Sequence, residues 1–286
     1  MSPATDRPKR RGIMLAKPAN DHLIRGLGDT FFVQPKLRGQ RCRVAWVEDW
    51  PVLLTSYGNT FSFMGHIQEE LLRLPRLPYD GELYNHELSQ EEINSVVMRE
   101  KNPHPNSELI QYHIFDIATQ QRQAARFMCL DSLPWNTDNH SVVWLGFSLA
   151  SPLDWPDKAA TAIADGYEGL IFRAMDGLYV PLDPLSYAKR PSTVLKWKPT
   201  EHDDYVIVDL LPGTGWASGM LGSFLVEDAE GNRFAVGTGR ELTKAKRLAH
   251  WNNRSALLGR RLRVKHEPIR TSGGLPVCTV AWEVLP

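Results

Sequence analysis

The stretch Gln34-Pro35-Lys36-Leu37-Arg38-Gly39-Gln40-Arg41 places a lysine between two runs of β-branched and aromatic residues. Those runs cover residues 30–34 and 41–47, and their composition favours β-strands. Arg38-Gly39 predicts a turn between them. Lys36 is therefore expected at the end of one strand, just before a hairpin.

A single lysine is most often a surface ion-pair partner. A lysine that acts as a nucleophile needs burial or neighbouring positive charge, which lower the pKa of its amine. Arg41 and Lys198 are the candidates for that charge near Lys36. Four further short runs follow at long intervals, namely Asp80-Gly81-Glu82, Phe115-Asp116, Glu168-Gly169 and Lys196-Trp197-Lys198.

The rest of the chain divides in two by its local patterns. Before Lys198, strands are predicted at 52–56, 109–116 and 169–173, and helices at 67–74, 87–99 and 157–165. The second of these helices is expected to begin with a Ser89 and Glu92 capping box. A polar break follows Lys198, and after it the chain predicts short strands at 205–211, 223–227, 233–236 and 261–266 and a helix at 242–251. This pattern favours a small five-stranded barrel of the oligonucleotide-binding type, with an SH3-like barrel as the alternative.

The order of five short patterns resembles that of the motifs in the adenylating ATP-dependent DNA ligases. The patterns are Lys-x-x-Gly-x-Arg, Asp-Gly-Glu, Phe-Asp, Glu-Gly-Leu-Ile-Phe-Arg and Leu-Lys-x-Lys. That family shares a superfamily with RNA ligases and mRNA capping enzymes. The resemblance covers about residues 13–286 and implies an α+β fold. An ATP-grasp-like nucleotidyltransferase (adenylation) domain, residues 13–199, would precede an OB-fold β-barrel domain, residues 200–286. Residues 1–12 are expected to be a flexible basic arm.

The resemblance implies that Lys36 attacks the α-phosphate of ATP, expels pyrophosphate and carries AMP before passing it to the 5′-phosphate of nicked duplex DNA. The residues expected to contact ATP or AMP are Gln34, Leu37, Arg41, Glu82, Phe115, Lys196 and Lys198. Phe115 is expected to stack on the adenine ring. Lys196 and Lys198 alternate across Trp197 and are expected to reach the same phosphate.

The same resemblance implies a metal and a set of DNA contacts. Mg²⁺, with Mn²⁺ as a substitute, would lie against Glu168 and Glu82, since it prefers oxygen ligands and substrate phosphates. Glu82 is also the expected ribose contact. The DNA contacts are expected at Arg41, Arg173 and Lys17.

Composition bounds the remaining expectations. The 286 residues carry 33 basic and 33 acidic side chains, so bulk charge does not identify a nucleic-acid partner. Basic residues nevertheless cluster at 7–11, 240–247 and 254–265. Cys42, Cys129 and Cys278 lie too far apart to indicate a zinc site or a disulfide framework. We expect a cytoplasmic, monomeric protein without a membrane span, of cellular or viral origin, that serves DNA replication, repair or recombination.

Three departures from the family pattern keep alternatives open. Arg38 stands where relatives usually have an acid, and Tyr57 where they often have a phosphate-binding arginine. Residues 281–286 hold none of the terminal Arg-x-Asp-Lys run that assists the reaction with ATP in many relatives. We therefore expect either slow self-adenylation or other basic residues in the place of that run. The alternatives are an RNA ligase or guanylyltransferase that uses the same lysine, and an inactive nucleic-acid-binding relative.

Overall fold

The computed structural model describes residues 9–135, 141–268, 271 and 273–286. The chain divides into two compact units, Met1–Trp197 and Lys198–Pro286. Each unit has a hydrophobic core of its own, as is usual for domains. Within the described ranges, no helix combines the length and the apolar content that crossing a membrane requires.

The first unit mixes strands and helices along the chain. Its strands are β1 (Lys17–Pro18), β2 (Phe31–Lys36), β3 (Gln40–Val47), β4 (Trp50–Thr55), β5 (Tyr79–Tyr84), β6 (Gln111–Ile117), β7 (Val142–Trp144), β8 (Ser148–Ala150), β9 (Gly169–Arg173) and β10 (Val194–Trp197). Its helices are α1 (Asp21–Arg25), α2 (Gly65–Leu71), α3 (Gln90–Val97), α4 (Gln123–Asp131) and α5 (Trp155–Ala164), with a 3-10 turn at Ser107–Leu109. The predicted capping box of α3 is confirmed, since Ser89 and Glu92 each accept the other's backbone N–H.

The strands of the first unit form two five-stranded sheets, in the orders β1-β10-β9-β2-β8 and β4-β3-β5-β6-β7. The predicted hairpin after Lys36 is wrong, because β2 and β3 belong to different sheets. Both edges of β2 are already paired, one with β9 and the other with β8. The chain therefore leaves the first sheet at Lys36 and enters the second at Gln40.

The part of the predicted basic arm that the structure describes is bound to the first unit. The Arg11 N–H donates to Ser56 O, and the Gly12 N–H donates to Ser186 O, each at 2.9 Å. A flexible arm therefore does not extend through residue 12, because these backbone groups are paired with the folded unit. Residues 1–8 of that prediction lie outside the described residues.

In its described residues, the second unit consists of a five-stranded antiparallel sheet and one α-helix. Its strands are β11 (Glu201–Pro212), β12 (Leu221–Glu227), β13 (Arg233–Val236), β14 (Arg261–His266) and β15 (Val280–Val284), and α6 spans Lys244–Asn252. Short 3-10 turns occur at Gly215–Ala217, Arg240–Leu242 and Arg254–Ala256. The sheet order is β13-β12-β11-β14-β15, and a bridge between Gly239 and Ala281 joins its two edge regions. The sheet thus curls around a core that includes Ile207, Phe224 and Val264.

Candidate active site

A cleft of about 310 Å³ lies in the first unit, where both sheets contribute side chains. Of the residues predicted to form the site, those that line it are Gln34, Lys36, Leu37, Arg41, Glu82, Phe115, Arg173 and Lys196. They come from β2, β3, β5, β6, β9 and β10 and from the β2–β3 connection. Segments separated by up to about 160 residues therefore meet at one place, as the motif order predicted.

Lys36 stands at the end of β2 with its amine beside Glu168. Its Nζ donates to Glu168 Oε2 in a very short contact and to Leu37 O at 3.3 Å. The pairing of Lys36 with Gly169 fixes this arrangement, and the Glu168 N–H donates to Lys36 O at 3.0 Å. Lys36 keeps 18% of its side-chain surface exposed, whereas Glu168 keeps 7%. The amine therefore faces the cleft while its carboxylate partner lies behind it.

Arg38 shares the same carboxylate. Its Nη2 lies 3.7 Å from Glu168 Oε1, so one acid sits between two cations. An acid at position 38, as the resembled family usually has, would instead face Glu168 with like charge. The structure thus gives the unexpected arginine a partner.

Glu82 approaches the cleft from β5. Its Oε1 accepts the Gly39 N–H at 3.2 Å. A Cβ on Gly39 would lie 2.2 Å from Leu83 O, so only glycine permits this close approach. Burial raises the pKa of Glu82 to about 7, although Arg41 and Lys36 oppose the shift. Glu82 therefore exchanges its proton near neutral pH.

Phe115 forms part of the cleft wall and is flanked by two guanidinium groups. The Arg41 Cζ lies 4.5 Å from its ring centroid, and the Arg173 Cζ lies 5.4 Å from it. Both distances are within the range of cation–π attraction. The ring is 9% exposed, so its orientation is fixed by packing and by these cations.

Gln34 and Arg173 hold this wall in place. The Gln34 side-chain amide donates to Phe115 O at 3.3 Å and to Gly146 O at 2.8 Å, and its oxygen accepts Arg173 Nε–H at 2.9 Å. Arg173 also reaches Asp116 at 3.0 Å and is 5% exposed. The Nε and Nη1 groups of Arg173 thus donate to buried protein groups, and its contact with DNA stays a prediction.

Arg41 has a buried acid as its partner. Its Nε lies 2.6 Å from Asp80 Oδ1, and its Nη2 makes a second contact with the same carboxylate and a bond to Met14 O at 3.1 Å. Burial alone would lower the pKa of Arg41, but Asp80 more than offsets it and raises the pKa. The Tyr179 hydroxyl donates to Asp80 Oδ2 at 2.5 Å. Arg41 is therefore a permanently charged, fixed part of the wall.

A second buried network, which none of the sequence motifs indicated, lies behind Phe115. Asp116 and Arg126 have no exposed side-chain surface, and Arg126 Nε donates to Asp116 Oδ1 at 2.7 Å. The Arg126 Nη2 donates to Gln123 Oε1 at 2.7 Å. The available signal was the helical spacing of the buried positions of α4, which include Gln123, Arg126, Phe127 and Leu130. A charged residue in such a stripe predicts a buried partner.

Three predicted site residues do not line the cleft, namely Glu168, which lies behind the Lys36 amine, Lys17 and Lys198. Lys17 is in β1, where it pairs in register with Leu195. Lys198 begins the second unit, where its Nζ lies 2.8 Å from Glu267 Oε1. Joint action of Lys196 and Lys198 on one phosphate, and a role for Lys198 near Lys36, stay predictions.

The same architecture occurs in several solved structures. A structure from a study of DNA binding by Lig E DNA ligases matches with a TM-score of 0.76 at 23% identity, over 96% of this chain and 99% of that chain. The chain has the fold of solved ATP-dependent DNA ligases. A Chlorella virus DNA ligase-adenylate matches with a TM-score of 0.51 at 18% identity, over 96% and 98% of the two chains.

A structure named Pmar-Lig_PreS3 matches with a TM-score of 0.77 at 21% identity. The match covers 96% of this chain but 66% of that chain, so this chain spans about two thirds of that protein's length. No family model and no curated protein matches the sequence. At these identities the likeness concerns the fold, and the resemblance read from the motifs is confirmed at that level.

Proposed function

We propose that this protein is an ATP-dependent DNA ligase that seals nicks in duplex DNA through AMP bound covalently to Lys36. The observation that carries the proposal is the convergence of the signature segments on one cleft, with the Lys36 amine directed into it. The fold of the matched DNA ligases supports it.

In the first step, Lys36 Nζ would attack the α-phosphorus of ATP as a free amine. A P–N bond forms and the P–O bond to pyrophosphate breaks. Glu168 Oε2, which already accepts the Lys36 hydrogen bond, is placed to take the proton that the amine loses. In the second step, an oxygen of the DNA 5′-phosphate attacks the AMP phosphorus and frees Lys36. In the third, the 3′-hydroxyl attacks the activated 5′-phosphate and AMP leaves.

The cleft wall offers a group for each part of the nucleotide. The part of Phe115 that lines the cleft would contact adenine, and Glu82, which titrates near neutral pH, would hydrogen-bond the ribose. Lys196, on β10, and Arg41 would supply positive charge to the phosphates. Gln34 and Leu37 would form part of the cleft surface around the nucleotide. The Gln34 side-chain amide holds Phe115 in place and would not bind the nucleotide itself.

A Mg²⁺ or Mn²⁺ ion shared with substrate phosphates would lie between Glu82, which lines the cleft, and Glu168, which contacts the Lys36 amine. In the described ranges, no group of three or more His, Cys, Asp or Glu residues could hold a metal by itself. A hard cation that keeps water ligands and binds phosphates needs only one or two carboxylates. Glu168 and Glu82 would hold it, and it would supply charge neutralisation to the phosphates.

The second unit would bind the duplex as an OB-fold barrel. Its five strands, its joined edges and its single helix between β13 and β14 support this assignment. Arg41 and Lys17 stay candidate DNA contacts, and a hinge near Pro199 would let the barrel move during the cycle. A monomeric, intracellular enzyme of DNA replication, repair or recombination is consistent with this role.

A sealing assay tests the proposal. Nicked duplexes with DNA or RNA on either side of the nick would be incubated with the protein, Mg²⁺ and either ATP or GTP. We expect sealing of the all-DNA nick with ATP, loss of sealing in Lys36→Ala, and retention in Lys158→Ala, a matched lysine change on α5. Sealing confined to RNA ends would favour an RNA ligase, and nucleotide uptake only from GTP would favour a guanylyltransferase. A protein that takes up no nucleotide would be the inactive relative.

A further inference from the structure

The N-terminal stretch and a later segment form a basic ridge beside the cleft. We define the basic ridge as residues 9–16 together with 186–190. These residues include Lys9, Arg10, Arg11, Lys189 and Arg190 and contain no Asp or Glu. Three of these residues, Lys9, Arg10 and Arg11, belong to the basic run at 7–11.

The ridge is a defined structure, because its two segments are hydrogen-bonded to each other. Ala188 N–H donates to Arg10 O at 2.9 Å, and Leu15 N–H donates to Lys189 O at 2.8 Å. Arg190 Nη1 adds a bond to Ala16 O at 2.8 Å. The cations are therefore carried on a paired backbone, which fixes their spacing.

Two arginines of the ridge also line the cleft that holds Lys36, namely Arg10 and Arg190. Both are exposed, and among the residues that the structure describes neither forms an ion pair with an acid. The other arginines of the cleft wall each have an acid as a partner: Arg41 pairs with Asp80, and Arg173 pairs with Asp116, which it shares with Arg126. Arg10 and Arg190 thus add positive charge to the cleft rim, and no acid within the described ranges forms an ion pair with either of them.

Exposed aromatic rings lie among these cations. Tyr187 is 53% exposed, with Lys9 Nζ at 5.3 Å and Arg11 Cζ at 5.2 Å from its ring centroid. Arg10 Cζ lies 5.8 Å from the ring of Tyr57, which is 44% exposed. Cations interleaved with exposed aromatic faces are typical of surfaces that follow a nucleic-acid backbone.

We infer that the basic ridge binds the phosphate backbone of the nicked duplex, with Arg10 and Arg190 contacting phosphates next to the strand end that meets Lys36. This inference rests on the proposed function for its choice of DNA. Regularly spaced phosphates match a row of fixed cations, and such contacts position a duplex without reading its sequence. The ridge would therefore hold the strand end at the cleft rim, close to the amine.

The salt dependence of binding tests the ridge without any catalytic readout. Affinity for a nicked duplex would be measured by fluorescence anisotropy over a series of salt concentrations, for wild type and for the double variant Arg10→Gln, Arg190→Gln. Each lost phosphate contact makes the slope of log K against log[salt] shallower by about 0.9, so a change of about 1.8 is expected. The control is Arg76→Gln, Arg99→Gln, which removes the same charge from exposed residues that do not line the cleft.

An unchanged slope in the ridge variant, or an equal change in the control, would overturn the inference. The KM for ATP in self-adenylation is measured in parallel. A raised KM with an unchanged slope would assign the two arginines to the triphosphate of ATP and would also overturn it. The two proposals can also fail separately. If the salt slopes of wild type and the ridge variant differed as expected but wild type took up no AMP, the proposed ligase reaction would be refuted and the ridge inference would stand.

Discussion

Replacing Arg126 by Met should destabilise the first unit strongly, although Arg126 lies outside every sequence motif. Arg126 and Asp116 have no exposed side-chain surface and are hydrogen-bonded at 2.7 Å. Removal of one partner leaves a buried charge uncompensated, which typically costs about 3–5 kcal/mol. Arg173, 3.0 Å from Asp116, would keep part of the compensation, so the lower part of this range applies.

The backbone contacts of Arg126 add little to this cost. Its Nη1 donates to Gln121 O at 2.6 Å and to Gly177 O at 3.0 Å. Water can replace the first bond because Gln121 is exposed, and Gly177 O keeps the Gln123 N–H at 2.9 Å. We therefore expect a loss of about 3–4 kcal/mol in the free energy of unfolding.

Urea unfolding of wild type and Arg126→Met measures this loss, and thermal unfolding should show a fall of about 10 °C in Tm, since a unit of this size loses about 2–4 °C per kcal/mol. The control is Arg233→Gln, which breaks the surface pair with Glu227 and should cost less than about 1 kcal/mol. An Arg126→Met protein within about 1 kcal/mol of wild type would show that the network does not support the wall behind Phe115.

Two further predictions concern the second sheet of the first unit. Gly39→Ala should lower the free energy of unfolding by about 1–3 kcal/mol or more, because the new Cβ would lie 2.2 Å from Leu83 O. The control is Gly65→Ala, whose Cβ meets no atom within 4 Å and which should leave the free energy of unfolding in urea nearly unchanged. Equal midpoints for the two variants would contradict this. Burial is the main cause, and the nearby His86 a second one, that lowers the pKa of His113 from 6.5 to about 4. The stability contributed by neutral His113 is therefore complete above pH 6.5 and is lost as the pH falls through 4. Urea unfolding at pH 7 and pH 4 measures how much free energy of unfolding each protein loses on acidification, and this loss should be smaller in His113→Phe than in wild type by up to about 3 kcal/mol. An identical loss in wild type and His113→Phe would refute the assignment.

The sequence predicts those features of the site that depend on local pattern. The strand that ends at Lys36, the helix cap at Ser89 and the polar break near Lys198 all follow from neighbouring residues. The motif order also predicted which segments meet in the cleft. This worked because each motif stands at a strand end or on a strand, where its side chains have a fixed direction.

The pairing of strands and charges could not be predicted in the same way. The turn residues Arg38-Gly39 indicated a hairpin, but β9, more than 130 residues later, occupies the edge of β2 that a hairpin would use. The partner of Arg41 depends on how β3 and β5 align, and that register places Asp80 beside its guanidinium. Such long-range contacts are set by tertiary packing and not by composition.

The most direct test of the account is to locate the nucleotide on the chain. Protein stripped of bound nucleotide with pyrophosphate would be incubated with ATP and Mg²⁺, then analysed by intact mass and by mass spectrometry of its peptides. We expect a mass increase of one AMP, located on Lys36 and missing from Lys36→Ala but kept in Lys158→Ala. An adduct on another side chain, or sealing of nicked DNA by Lys36→Ala, would contradict the account.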